Sequence, residues 1–185
     1  MIKRRFPTGN QIFTVFLTIL FPITFWSVLN FSRELPSYLL RMKIWEIVGV
    51  FSYTQVFACF ESLLFLVVLI LIAGLLPQQV FLKYFITQAT LIGLLASIWI
   101  IPLHYKDQIL AIYPKFENSW TKASWLGIFI VLVIGISFLF RRYSGLEKAF
   151  RTFIDKLAVV SMLYLIVDFT SLFIILARNL IIALS

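Results

Sequence analysis

The sequence predicts an all-α integral membrane protein: a bundle of five transmembrane helices with two interfacial amphipathic segments. Three observations carry that reading. The 185 residues are 62% hydrophobic and 13% charged, against about 45–50% apolar and about 25% charged in ordinary soluble domains. Five apolar stretches come close to or exceed the roughly 20 helical residues that cross a bilayer core of about 30 Å. Most lysines and arginines fall between those stretches, where they orient helices and meet anionic headgroups. The net charge of +8 is therefore membrane charge, and nucleic acid is not an expected partner.

The first span is expected over residues 11–31. It follows MIKRR, the charge pattern of a signal peptide, but the apolar run offers no small-residue cleavage site and reads as a retained span. Pro22 predicts a kink in it, which membrane helices tolerate when neighbours satisfy the freed carbonyl. Residues 32–46 mix Arg33, Arg41 and Lys43 with Tyr38, Leu39, Leu40 and Trp45, an interfacial composition. The second span, 47–76, would be about 45 Å long, so it must tilt or project beyond the core before Pro77 ends it. A short linker, PQQVFLK, makes helices 2 and 3 antiparallel neighbours.

The third span, 80–103, places Ala89, Gly93 and Ser97 at successive i+4 positions with Thr90 beside them. These small residues form a seam where another backbone can approach, inside the protein or toward a partner. Residues 104–124 are the longest polar stretch, with Asp107 positioned to cap a helical turn ahead of Pro114 and aromatics suited to the membrane surface. The fourth span is 121–140. The segment 141–156 then carries Arg141, Arg142, Lys148, Arg151 and Lys156. Leu146, Phe150, Phe153 and Leu157 share one face of it, so it reads as an amphipathic interfacial helix for anionic lipid or a partner. The fifth span is 157–182, and the whole chain is one polytopic domain.

Orientation follows from the basic residues. With five spans and an inner amino terminus, nine lysines and arginines lie inside and six outside, with Arg178 near the outer end of span 5. This is the expected asymmetry, and it puts the amino terminus in the cytoplasm and the carboxyl terminus outside. Trp26, Trp45, Trp99, Trp120 and Trp125 then gather on the outer side.

Polar residues within the spans are the candidates for function. Ser161, Tyr164, Asp168, Ser171, Arg178 and Asn179 project into about 100° of span 5, and Thr54, Gln55, Ala58, Glu61 and Ser62 into about 120° of span 2. Neither stripe faces lipid cheaply, so the two are expected to face each other, with Glu61 paired to Arg178. Asp168 is then left to Tyr164, a serine, a neighbouring chain or its own proton. CxxC, P-loop, GxSxG and HExxH patterns are absent, one cysteine (Cys59) allows no internal disulfide, and one histidine (His104) cannot support a histidine-rich metal site. No cofactor, metal or catalytic residue is expected, and His104, Asp107 and Glu117 read as loop polar groups.

The expected role is a non-catalytic integral subunit or partner-binding component of a larger membrane assembly, such as one in a cell inner membrane. With only seven glycines and six prolines, the helices look continuous rather than broken around a midplane site. The rivals are a small oligomeric ion, proton or solute transporter using Glu61 and Asp168, and a protein that binds a lipid headgroup or hydrophobic substrate.

Overall fold

The structure, a computed structural model, describes residues 6–75, 84–104 and 119–184. Among them are five α-helices: α1 (Gly9–Arg41), α2 (Ile44–Leu75), α3 (Phe85–His104), α4 (Ser119–Arg142) and α5 (Ser144–Leu184). Four contain stretches long and apolar enough to cross a membrane: α1, α2, α4 and α5. The apolar part of α3, Phe85–Trp99, is shorter. The described residues thus have the all-α architecture of a polytopic membrane protein. The stop at Pro77, the linker after it and the polar stretch around Asp107, Pro114 and Glu117 lie outside the described residues.

Two expected interfacial segments are instead parts of long helices. Residues 32–41 continue α1, which runs through both Pro22 and Pro36 for 33 residues, about 50 Å at 1.5 Å per residue. The chain reverses at Met42 and Lys43 only. There the Met42 N–H donates to the Tyr38 carbonyl at 2.8 Å, and the Lys43 N–H donates to Glu46 Oε2 at 2.9 Å, tying the start of α2. Likewise 144–156 is the opening of α5, a 41-residue helix of about 61 Å. The break before it falls at Tyr143, so the amphipathic face merges with the fifth apolar stretch rather than forming a separate helix.

Cross-helix contacts fix the directions. Ser27 Oγ donates to the Thr54 carbonyl at 3.4 Å, and the Phe31 and Phe51 rings meet edge-on at 5.0 Å, so α1 and α2 run antiparallel. Phe21 meets Tyr164 edge-on at 5.7 Å, and Arg178 lies over Gly49, which makes α5 parallel to α1 and antiparallel to α2. Trp99 contacts Trp125 and Phe129 at 4.3 and 5.7 Å, and Phe140 stacks on Phe150 at 4.9 Å, which holds α4 beside α3 and the start of α5.

α1 is the central helix. Val15 through Leu20 are all buried, more than one full turn, so neighbours surround the helix there. They include Leu66, Leu69 and Ala73 of α2, Phe85 and Ala89 of α3 and Ala158 of α5. α4 is peripheral: none of its membrane-length stretch Ala123–Phe140 is buried. Among the described residues α3 packs chiefly on α1, rather than on α2 as the short linker predicts. The small-residue seam explains this. Ala89 and Gly93 are buried, and a Cβ added at Gly93 would come within 2.9 Å of Ile19 Cγ1. Beside it Thr18 Oγ1 and Thr90 Oγ1 share a hydrogen bond of 3.0 Å. Ser97 bonds back to the Gly93 carbonyl at 2.8 Å. The seam is thus a contact inside the chain.

Candidate functional site

The polar stripe of α5 faces inward. Ser161, Asp168 and Ser171 are buried with Ile154, Leu157 and Ile175, and Tyr164 is half-buried against Phe21. That spacing, about every third or fourth residue, is one helical face. Ser161 Oγ donates to the Leu157 carbonyl at 2.7 Å. Asp168 is different: it is 3% exposed and neither carboxylate oxygen has a hydrogen-bond partner among the described residues.

The stripe of α2 is divided. Gly49, Ser52, Gln55, Ala58 and Ser62 are buried, whereas Glu61 is exposed and Thr54 half-buried. Counting 100° per residue, the buried members from Gln55 through Ser62 occupy about 60°, and Thr54 and Glu61 lie beyond its edge by about 40–60°. A 120° sector is wider than the strip that the neighbouring helices cover. Gln55 is fully buried, and its side-chain Nε2 and Oε1 have no partner among the described residues.

The expected Glu61–Arg178 ion pair is not formed. The guanidinium of Arg178 rests over Gly49, in the space that a Cβ at that position would take. That is twelve residues from Glu61, or about 18 Å along α2. The helix levels explain the miss: Arg178 lies near the α1–α2 turn, where Tyr53 Oη also donates to Asn179 Oδ1 at 3.2 Å. An ion pair does form between Arg151 and Glu147, at 3.1 Å on the opening of α5. Arg142, Lys148 and Lys156 are exposed there too, and Arg141 ends α4 with Arg142.

Glu61 instead borders a groove of about 780 Å³ between α1, α2 and α3, reached also by Phe153 and Leu157 of α5. Its walls are mostly apolar and aromatic, including Phe21, Trp26, Phe57 and Phe65, with Ser27, Asn30, Thr54 and Ser97 as polar members. Pro22 lines it as well. Proline has no N–H to donate, so the α1 ladder loses one bond at the groove wall. Glu61 sits in the middle of α2, about 26 Å from Ile44 and about 21 Å from Leu75. The groove was not legible in the sequence, because it depends on how three uniformly apolar helices rotate about their axes.

No group of three or more His, Cys, Asp or Glu residues that could hold a metal occurs among the described residues. The arrangement offers Glu61 to the groove and Asp168 to the interior. Comparison with protein families, with characterised proteins and with solved structures finds no match to the chain.

Proposed function

We propose that this chain is a non-catalytic integral membrane subunit that receives a transmembrane helix of another membrane protein in the groove bearing Glu61. The single observation behind this reading is the exposure of Glu61 halfway along a membrane-length helix. An ionisable group at bilayer depth costs several kcal/mol in contact with lipid, and such groups are ordinarily found paired or watered. A partner helix with a basic or amide side chain would cover the carboxylate and fill the aromatic walls together. Such polar contacts between membrane helices are worth about 0.6–2 kcal/mol each.

The test is purification of the tagged chain from its own membrane in mild detergent, followed by identification of what co-purifies. A partner in fixed stoichiometry that falls at least tenfold in the Glu61→Gln variant is the expected result. A homo-oligomer, or a lipid or hydrophobic molecule retained in the groove instead, would replace this reading. The second reading, a small oligomeric ion or proton transporter, is favoured by one observation, the buried and unpartnered Asp168.

The proposal includes five spans, with the cytoplasmic amino terminus and outer carboxyl terminus that the basic residues favour. Antiparallel α1 and α2, with α5 parallel to α1, suit that topology. A reporter fused after Ser185 that reads as cytoplasmic would overturn it. The exposed bases of 141–156 would contact anionic lipid, each contributing about 1 kcal/mol near a charged surface. Vesicle binding of that peptide that ignored the anionic lipid fraction would remove this part.

A further inference from the structure

Three buried polar side chains from three different helices come to one level of the bundle, and each lacks a partner among the described residues. Thr24 of α1 is fully buried with Oγ1 unpartnered. Gln55 of α2 is fully buried with both amide atoms unpartnered, and Asp168 of α5 is 3% exposed with both oxygens unpartnered. The contacts of Phe21 with Tyr164 and of Ser27 with Thr54 set the relative heights of the helices. Counted from those contacts at 1.5 Å per residue, the three fall within about 6 Å along the bundle axis.

Thr87 of α3 shares that state among the described residues, but other buried hydroxyls on α1, α2 and α5 find partners. Ser52, Ser62 and Ser161, equally buried on the same helices, each bond a carbonyl four residues back at 2.7–2.8 Å, and Thr18 bonds Val15 and Thr90. Thr24 keeps its hydroxyl out of such a bond, at the level of the carboxylate. Unsatisfied polar groups cost about 1–3 kcal/mol each when buried, so three together call for a shared ligand.

We propose that Thr24, Gln55 and Asp168 form a buried binding site for one small monovalent cation of the sodium class. A carboxylate, an amide oxygen and a hydroxyl are hard oxygen donors, the kind that hold unpolarisable cations. Water would leave an ionised Asp168 uncompensated, and a proton on Asp168 would leave the Thr24 and Gln55 oxygens unpartnered, whereas one bound cation answers all three. A divalent ion would leave excess charge in the apolar interior, since Asp168 is the only buried acid among the described residues. The site stands whether the ion is carried across the membrane or only holds three helices together, and it does not depend on what fills the Glu61 groove.

Thermal unfolding of the full chain in detergent tests it, with sodium chloride exchanged for choline chloride at constant ionic strength. Sodium should raise Tm in proportion to the logarithm of its concentration once above the dissociation constant, by about 5–10 °C at a hundred times that constant. In equilibrium binding, Thr24→Val and Gln55→Leu should each raise the half-saturating sodium concentration about tenfold, and Asp168→Asn should abolish both the binding and the Tm response. Equilibrium binding of radioactive sodium to the wild-type chain gives the same reading without unfolding, and serves if Asp168→Asn does not fold. Identical Tm in sodium and choline with no saturable sodium binding would overturn the proposal, as would an unchanged half-saturating concentration in both Thr24→Val and Gln55→Leu.

Discussion

Asp168 and Glu61 are the same chemistry placed in opposite surroundings. Asp168 sits at the inward edge of α5, 3% exposed among Ser161, Ser171 and Leu157, while Glu61 stands on the groove side of α2 beside Thr54, Phe57 and Phe65. The difference comes from rotation. On α5 Ser161, Asp168 and Ser171 coincide with the covered strip while Asn179 is exposed, and on α2 the polar residues straddle its edge. An acid inside the bundle answers to its own helices. One on the rim answers to whatever lies in the membrane beside it.

Charge reversal separates the two most sharply. Asp168→Lys should lose several kcal/mol, since it puts a long uncompensated cation into a packed interior, and folded protein on size-exclusion chromatography should nearly vanish. Glu61→Lys should fold in detergent within about 1 kcal/mol of the wild type, because its side chain already stands outside the core. Equal losses from both would remove the distinction.

Next in size is the seam. Gly93→Leu should cost about 1–3 kcal/mol by driving a side chain into Ile19. Gly127→Leu on peripheral α4, where a Cβ meets nothing within 4 Å, should change stability by less than about 0.5 kcal/mol. Denaturation in mixed micelles measures both. The smallest effect is expected from Thr18 and Thr90: a double-mutant cycle with valine should give a coupling of about 0.6 kcal/mol, the usual worth of a hydroxyl contact between membrane helices.

Much of this architecture was legible beforehand. The apolar runs correspond to the five helices among the described residues, small residues at 89 and 93 marked a packing face, and the polar periodicity of 161, 168 and 171 marked the buried side of α5. Four things were not. Helix α1 continues to Arg41 because neither Pro36 nor isolated charges end a helix that already has its neighbours, and the reversal needs only Met42 and Lys43. The central place of α1 leaves no sequence mark, since helices apolar on every side carry no polar face to show which way they point. The sector holding Glu61 was as polar as that holding Asp168, and only the covered width of α2 tells them apart. Arg178 was expected to reach Glu61, but the small size of Gly49 gives its guanidinium a seat twelve residues away.

The most direct measurement places a photo-crosslinking amino acid at position 61 in native membranes, with a matching probe at Leu163 on the exposed face of α5. A subunit that seats a partner helix against Glu61 predicts one discrete protein adduct from position 61 and only lipid adducts from position 163. Lipid adducts from both positions would contradict it.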